Sequence, residues 1–262
     1  MISEYHRPDS LHTALALLAR QEPRTLPLGG GTVLAQPQAS LRAPQLSGES
    51  SFAVVDLQAL GLDTLESSGK GLTIGATVNL ETLLARLELP AALDHAIRHE
   101  ATTNLRQTAT VAGTLVASDG RSPFCLVMLA LDTAVEFASQ AGGEETLSLG
   151  ELLPQRKTWL PGRLITRLTL PVKIKLAYHF VARTPADRPL VAAAAAAWPS
   201  GRTRLVLGGF GPAPILVLDG PEPGGIELAA REAYSQAGDE WADAEYRSAA
   251  AAELALRCLN DL

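Results

Sequence analysis

The sequence has few cysteines and no long apolar run. It contains only two cysteines, Cys125 and Cys258, both in apolar contexts typical of buried helix positions. A four-thiolate iron–sulfur cluster needs twice that number, and free buried cysteine is common in reducing compartments. The longest uncharged apolar run, residues 190–198, is nine residues long, too short to cross a bilayer. The first residues lack the apolar core of a signal peptide. We therefore expect a cytoplasmic protein without a membrane span.

Positive charge is also scarce. The 22 Lys and Arg residues are outnumbered by 28 Asp and Glu, which gives a formal net charge of −6 and a pI near 5.4. Nucleic-acid binding depends on clustered basic residues, so we expect no nucleic-acid partner. The length of 262 residues and the 47% apolar content suit one large or two small globular domains.

The histidines do not form a metal-binding pattern. His95 and His99 are four residues apart on a predicted helix, but no third ligand accompanies them as a catalytic zinc site requires. A Ser, His and Asp grouping around a nucleophile elbow is also missing. We therefore predict neither a metal site nor a catalytic residue in this chain, and interpret the histidines as surface or core residues.

Two glycine-bearing segments are the most informative feature that is present. Gly29–Gly31 follows an apolar stretch, and Gly113 lies about eighty residues later between two threonines. Glycine permits positive φ, so successive backbone N–H groups can converge on one anion, and threonine hydroxyls add donors. Alone, the first segment is also typical of an ordinary strand-to-loop connection. Taken together, the two segments are predicted to be turns with bare amides that hold a diphosphate.

Hydrophobic periodicity predicts helices and strands in alternation. Asp9 or Ser10 caps a helix with a buried stripe, Asn79 caps a second, and Ser122 with Pro123 begins a third. A hairpin or loop is expected at 208–212. The alanine run 192–197 is equally compatible with a helix by propensity, and it is interpreted as a strand only because the flanking residues give it no polar face. Further helices are predicted at 90–97, 225–237 and 242–259, and strands at 53–57, 72–76, 134–138, 164–170, 176–182, 190–198, 204–207 and 215–218.

In this order, the motifs resemble the FAD-binding medium subunit of molybdenum hydroxylases, the family that includes carbon monoxide dehydrogenase and xanthine dehydrogenase. The resemblance runs nearly end to end. The motifs that match the family are Tyr5-His6-Arg7-Pro8, Gly30-Gly31-Thr32 with Leu34, Val55-Asp56-Leu57, Ile74-Gly75-Ala76-Thr77, Arg106 with Ala109-Thr110-Val111-Ala112-Gly113-Thr114, Pro161-Gly162, Arg183-Thr184-Pro185-Ala186-Asp187 and Ala244-Glu245-Tyr246-Arg247.

The resemblance implies an α+β fold with an FAD-binding region at 1–172, in two subdomains split near 55, and a smaller α+β domain at 173–262. It implies bound FAD, with the flavin ring in a cleft between subdomains, and a role as one oxidoreductase subunit, inactive on substrate alone. Electrons would pass from an iron–sulfur small subunit through the flavin to an external acceptor, beside a molybdenum-cofactor large subunit. The predicted cofactor-binding residues are Leu28, Gly29, Gly30, Gly31, Thr32, Val33, Leu34, Thr110, Val111, Ala112, Gly113, Thr114, Asp119 and Ser122.

The sequence departs from the family pattern within these segments. Val33 stands where the family has Ser, Asp or Glu, Ala112 and Thr114 replace Gly and Asn, and Pro123 stands where relatives place an Asp. A Lys usual in the C-terminal region is replaced at His179 and Phe180.

Each lost polar contact to a buried ligand weakens binding by about 1–3 kcal/mol. Asp119 and Ser122 are either compensating ligand contacts or a turn residue and a helix cap. The alternative function is a degenerate scaffold or interaction subunit that has lost tight FAD binding. A stand-alone flavin reductase is a third reading, but nothing marks a nicotinamide site.

Overall fold

The computed structural model describes residues 2–34, 51–69, 71–86, 89–221 and 223–262. Backbone contacts divide the chain into two compact units, each assembled from three stretches of sequence. The first unit is Met1–Ala85, Thr103–Ala117 and Ala134–Thr169, and the second is Arg86–Thr102, Ser118–Thr133 and Leu170–Leu262.

The first unit contains two sheets. A three-stranded parallel sheet has the order β1-β3-β2, and a five-stranded sheet has the order β4-β5-β8-β6-β7. The strands are β1 (Ile2–His6), β2 (Thr25–Leu28), β3 (Phe52–Asp56), β4 (Leu65–Ser68), β5 (Gly71–Gly75), β6 (Ala134–Ser139), β7 (Glu144–Ser148) and β8 (Arg163–Leu170).

Local capping explains where several helices of the first unit begin. Ser10 accepts the Thr13 amide at the start of α1, and Asn79 accepts the Thr82 amide at the start of α2. Leu15 and Leu18 of α1 are buried against β3, β6 and β8, and burying one such side chain contributes about 1.5–3 kcal/mol. The helices are α1 (Leu11–Leu18), α2 (Leu80–Leu84), α4 (Thr103–Arg106), α5 (Val111–Ala117) and α7 (Leu149–Trp159).

The second unit packs helices on an antiparallel sheet of order β12-β11-β10-β9. The alanine run lies in β10, where its small side chains let α9 pack closely on the sheet. Arg247 of α9 is fully buried and donates to the carbonyls of Leu190 and Ala237 and to Asp239. The elements are α3 (Ala91–Glu100), α6 (Pro123–Ala130), β9 (Lys175–Val181), β10 (Val191–Ala197), β11 (Thr203–Gly208), β12 (Ile215–Gly220), α8 (Ile226–Ala233) and α9 (Ala244–Asn260).

Most predicted elements are confirmed, including the helices capped by Ser10, Asn79 and Ser122 and the strand in the alanine run. The second helix ends at Leu84, and its predicted residue Leu87 lies outside the described residues. Sequence analysis did not predict β1, β4, β7, α4 or α7. The domain division at residue 172 remains a prediction.

One predicted element is wrong. The segment Ala109–Leu115 was expected to be a glycine turn, but the chain enters α5 at Val111 and stays helical through Ala117. The Thr110 hydroxyl accepts the Gly113 amide at 3.2 Å, which is the contact of a helix N-cap. Sequence reasoning gave Gly113 a turn-forming role, whereas threonine capping makes it an ordinary first-turn residue.

Candidate functional site

The triple-glycine loop leaves the carboxyl end of a parallel strand. Leu28 of β2 pairs with Asp56 of β3 in parallel register, so the residues that follow both strands emerge at the same edge. The Gln58 side chain donates to the Gly29 carbonyl at 3.3 Å and joins the two loops. In α/β proteins, ligands bind outside the carboxyl ends of parallel strands. This edge of the sheet is therefore a candidate ligand site.

The backbone of this loop carries bare donors. Among the described residues, no hydrogen bond is donated by the amides of Gly29, Gly30 or Gly31. Gly31 has a φ of 70°, a conformation that favours glycine. Successive unpaired amides form an anion-binding concavity. The loop can therefore bind phosphate oxygens through its backbone alone.

The segment before α5 packs directly on this loop. A Cβ built on Gly30 would lie 1.6 Å from the Thr108 carbonyl oxygen, and one built on Gly29 would lie 2.7 Å from the Thr110 hydroxyl. At Gly30 the clash is with backbone, so this position requires glycine for close approach, whereas a side chain at position 29 would require the Thr110 side chain to move. The two segments singled out in the sequence therefore lie side by side in the first unit.

The second segment does not offer free amides, contrary to the prediction. Each of the four amides after Thr110 already has an acceptor, two of them in the segment after β5 and two at Thr110 itself. These bonds run from Val111 to the Val78 carbonyl at 2.8 Å, from Ala112 to the Ala76 carbonyl at 3.3 Å, from Gly113 to the Thr110 hydroxyl at 3.2 Å and from Thr114 to the Thr110 carbonyl at 2.8 Å. This segment therefore contributes side chains and shape to the site.

A groove of ≈ 390 Å³ lies between these segments and is lined by the three glycines. Three further lining residues, Thr77, Asn79 and Gln107, present side-chain donors for which the described residues supply no acceptor. The side-chain oxygen Oδ1 of Asn79 accepts the Thr82 amide at 2.7 Å, so the side-chain NH₂ group of Asn79 is the part left for a ligand. This volume is within the range of ligand pockets. The groove thus combines backbone and side-chain donors suited to a phosphate-bearing ligand.

Asp56 is a carboxylate in the lining of this groove, and its contacts show how it is accommodated. It is 7% exposed, accepts the Gln58 amide at 2.9 Å and accepts the Tyr5 hydroxyl. The hydrogen bond to Asp56 raises the pKa of Tyr5. Both carboxylate oxygens are thus used to fix β1 and the loop after β3, which makes Asp56 a structural brace at the edge of the groove.

Comparisons with known proteins agree with this geometry. A family model described as the FAD binding domain in molybdopterin dehydrogenase matches residues 1–173. The chain belongs to this family. It therefore belongs to an FAD-binding family, and both the predicted family and the predicted FAD cofactor are confirmed.

Curated relatives and solved structures extend the match. YgfM of Escherichia coli K12 is 31% identical over 58% of this chain, and the match spans about half of YgfM, 54%. The glyceraldehyde dehydrogenase medium chain of Sulfolobus acidocaldarius is 28% identical over 73% of this chain and 68% of its own length. A chain of Cu,Mo-CO dehydrogenase superposes with a TM-score of 0.81 at 23% identity, covering 100% of this chain and 97% of its own. A chain of quinoline 2-oxidoreductase from Pseudomonas putida 86 superposes with a TM-score of 0.75 at 21% identity, covering 98% of this chain and 96% of its own. The predicted α+β fold is confirmed.

Two predicted ligand residues lie in the second unit of this flavoprotein-family fold, in contacts of their own. Asp119 pairs with Arg188 and accepts the Arg121 amide at 2.8 Å. Burial by itself would raise the pKa of Asp119, but the hydrogen bond and charge of Arg188 outweigh it and lower that pKa. Ser122 accepts the Cys125 amide at 3.1 Å and donates to Glu100 at 2.7 Å. These are the contacts of a turn residue and a helix cap. Their role toward FAD remains a prediction.

The histidines and the later glycine cluster have structural partners. His99 contacts the Tyr178 hydroxyl at 3.0 Å and the Asp187 carbonyl at 2.8 Å, and its ring lies against Phe180. Residues 208–212 connect β11 to β12, as the hairpin prediction expected. Within the described ranges, no group of three or more His, Cys, Asp or Glu side chains is placed to hold a metal ion. None of the described helices combines the length and apolar character needed to cross a membrane.

Sequence reasoning missed several residues of the groove. Asn79 was assigned only as a helix cap, and Asp56 and Thr77 only as parts of family motifs; Gln58 and Gln107 were not singled out. The positions of Asp56 and Gln58 could have been predicted from the sequence. Asp56 ends β3 and Gln58 lies just after it, and β3 runs parallel to β2, the strand before the glycines. The position of Gln107 could not have been predicted in this way, since it depends on how α4 packs.

Proposed function

We propose that this chain is the electron-transfer flavoprotein subunit of a multi-subunit molybdenum hydroxylase. Electrons would enter from an iron–sulfur subunit and leave to an external acceptor. The observation that carries the proposal is a row of three glycine amides, beside a groove with several side-chain donors, for which the described residues provide no acceptor. The family match and the medium subunits among the relatives, including the nicotine 6-hydroxylase medium subunit of Paenarthrobacter nicotinovorans, support it.

In this proposal the amides of Gly29, Gly30 and Gly31 bind the FAD diphosphate. Thr77 and Asn79 donate to further oxygens of the cofactor along the groove. Leu28 also lines the groove, and the predicted site residues Thr32, Val33 and Leu34 follow the glycines in the chain. When bound, the flavin supplies the one- and two-electron chemistry, while the protein supplies position and a polar environment.

Separate subunits are proposed for the other redox centres. The given sequence has two cysteines, both buried in helices, so these 262 residues do not supply the ligands of a four-thiolate cluster. The iron–sulfur and molybdenum-cofactor subunits are therefore proposed partners, and cytoplasmic residence belongs to the same proposal.

Flavin titration of the purified chain tests the cofactor role. We expect one FAD per chain, with FAD binding more tightly than FMN and FMN more tightly than riboflavin, because the amides of Gly29–Gly31 recognise phosphate. Absorbance and quenching of flavin fluorescence give the three dissociation constants. Equal affinity for FAD and riboflavin would contradict the assignment of the glycine loop.

The occupied amides of the second segment favour one competing function, a scaffold subunit that has lost tight FAD binding. It predicts a stable complex with iron–sulfur and molybdenum subunits that contains no flavin. Purifying the native complex and measuring its flavin, iron and molybdenum together separates the two functions. Flavin in equal amount to the subunit supports electron transfer, and its absence from an intact complex supports the scaffold.

A further inference from the structure

One wall of the groove has little regular structure of its own. Gln107 and Thr108 lie between α4, which is four residues long, and the capped start of α5. The Thr108 carbonyl nevertheless occupies the space of a Cβ on Gly30, so this wall and the glycine loop are in direct backbone contact. Any displacement of α4 therefore moves the surface on which the phosphate-binding loop rests.

An ion pair between a buried arginine and a partly exposed glutamate fixes α4. Arg106, the last residue of α4, is 6% exposed, and its Nε donates to Glu81 at 2.7 Å. Its Nη2 also donates to the Thr103 hydroxyl at 3.1 Å, which ties both ends of α4 to one guanidinium. A buried charge that loses its partner carries a large desolvation penalty. Loss of the Glu81 carboxylate therefore weakens the attachment of α4 to α2.

The same pair reaches the other side of the groove through α2. Glu81 lies in the first turn of α2, two residues after Asn79, whose amino group faces the groove as an unused donor. The Leu80 amide donates to the Ala109 carbonyl at 2.9 Å, a second tie between α2 and the segment before α5. Arg106 and Glu81 thus connect two walls of the groove without lining it themselves.

We propose that Arg106 and Glu81 are a positioning pair that sets the affinity of this chain for FAD by holding Thr108 against Gly30 and Asn79 at the groove. The inference rests on the proposed FAD function. Loss of either partner lets the Gln107–Thr110 wall shift, so the amides of Gly29–Gly31 no longer converge on the phosphates. We expect a 10- to 100-fold increase in the FAD dissociation constant.

A double-mutant cycle tests the pair. Glu81→Gln and Arg106→Met are each expected to weaken FAD binding, and the double variant is expected to be no weaker than the poorer single variant, because the two residues act as one unit. Arg106→Lys keeps the charge and should retain intermediate affinity. The matched control is Asp94→Asn with Arg98→Met, an exposed ion pair of equal length, 2.7 Å, in the second unit; it should leave the FAD affinity unchanged.

Hydrogen exchange of the FAD-free chain supplies a readout that does not depend on flavin. The Glu81→Gln variant should exchange faster at the amides around Thr108 and Gly30, with no change in β9 to β12. A role limited to stability would lower the melting temperature and leave both the FAD affinity of the folded protein and this local pattern unchanged, which would overturn the proposal. Failure of the wild-type chain to bind FAD would instead refute the proposed function.

Discussion

Replacing Gly30 by alanine is the sharpest test of the glycine loop. The new Cβ would lie 1.6 Å from the Thr108 carbonyl oxygen, which is backbone and cannot rotate away. Relaxed contacts between carbon and a second heavy atom lie near 3.5 Å. The loop and the Thr108 segment must therefore separate by roughly 1.5–2 Å, on the same scale as a hydrogen-bond length.

A shift of that size removes hydrogen bonds from the loop amides to a phosphate. Hydrogen bonds to charged groups contribute about 1.5–3 kcal/mol each, so losing two of them costs about 3–6 kcal/mol of binding free energy. This corresponds to roughly a 10²- to 10⁴-fold increase in the FAD dissociation constant. Overpacking also lowers the stability of the FAD-free chain by about 1–3 kcal/mol.

The two effects separate when affinity is measured below the melting temperature of the FAD-free variant. Fluorescence titration with FAD gives the dissociation constant, and thermal unfolding gives the stability. Gly69→Ala is the matched control, because its Cβ would meet nothing within 4 Å and the residue lies in the same unit. A folded Gly30→Ala protein that binds FAD within threefold of wild type would refute the role of this loop.

Three further predictions concern the rest of the fold. Arg247→Met should lower the free energy of unfolding by about 3–5 kcal/mol, because two buried carbonyls lose their donor and Asp239 loses its cationic partner. Arg257→Met, in an exposed ion pair, should cost about 0–0.5 kcal/mol in the same denaturant titration. Burial lowers the pKa of His99 in the folded state, so on acidification the imidazole is protonated in the unfolded chain before it is protonated in the folded one. The free energy of unfolding should therefore fall as the pH drops below about 6.5. His99→Gln should reduce this dependence of stability on pH in unfolding curves taken at several pH values. Ser148→Ala removes the capping box of α7 and should cost about 1 kcal/mol by thermal unfolding.

The sequence predicted elements well where one local signal determined the outcome. Ser122 followed by Pro123 marks a helix start whatever the surroundings, and the eight residues after Ser122 are all buried in α6. The alanine run was harder, because alanine favours helix; its place in the centre of a sheet depends on α9 packing against it. The helix α7 was missed because Pro154 lies inside it, which sequence rules treat as a break.

Of the two segments of the candidate site, the glycine loop could be predicted from the sequence, whereas the conformation of the segment after Thr110 could not. Gly29–Gly31 could be found because a glycine run after a strand has few other uses. The amides after Thr110 were misjudged because their partners, the carbonyls of Ala76 and Val78, are more than thirty residues away in sequence. Which donors remain free is a property of tertiary pairing, and no motif of glycine and threonine reveals it.

The departures from the family pattern weigh less against FAD binding once these contacts are known. Ala112 stands where the family has glycine, but it lies in the first turn of α5 and does not need a positive φ; among the described non-glycine residues, only Asp132 has one. Thr114 uses its hydroxyl on the Thr110 carbonyl at 2.8 Å, a bond internal to the helix. Val33 changes a side chain in a loop whose donors are backbone amides, which substitution leaves in place. FAD affinity should therefore depend on the glycine backbone and on the wall that supports it, and much less on the positions at which this chain differs from its relatives.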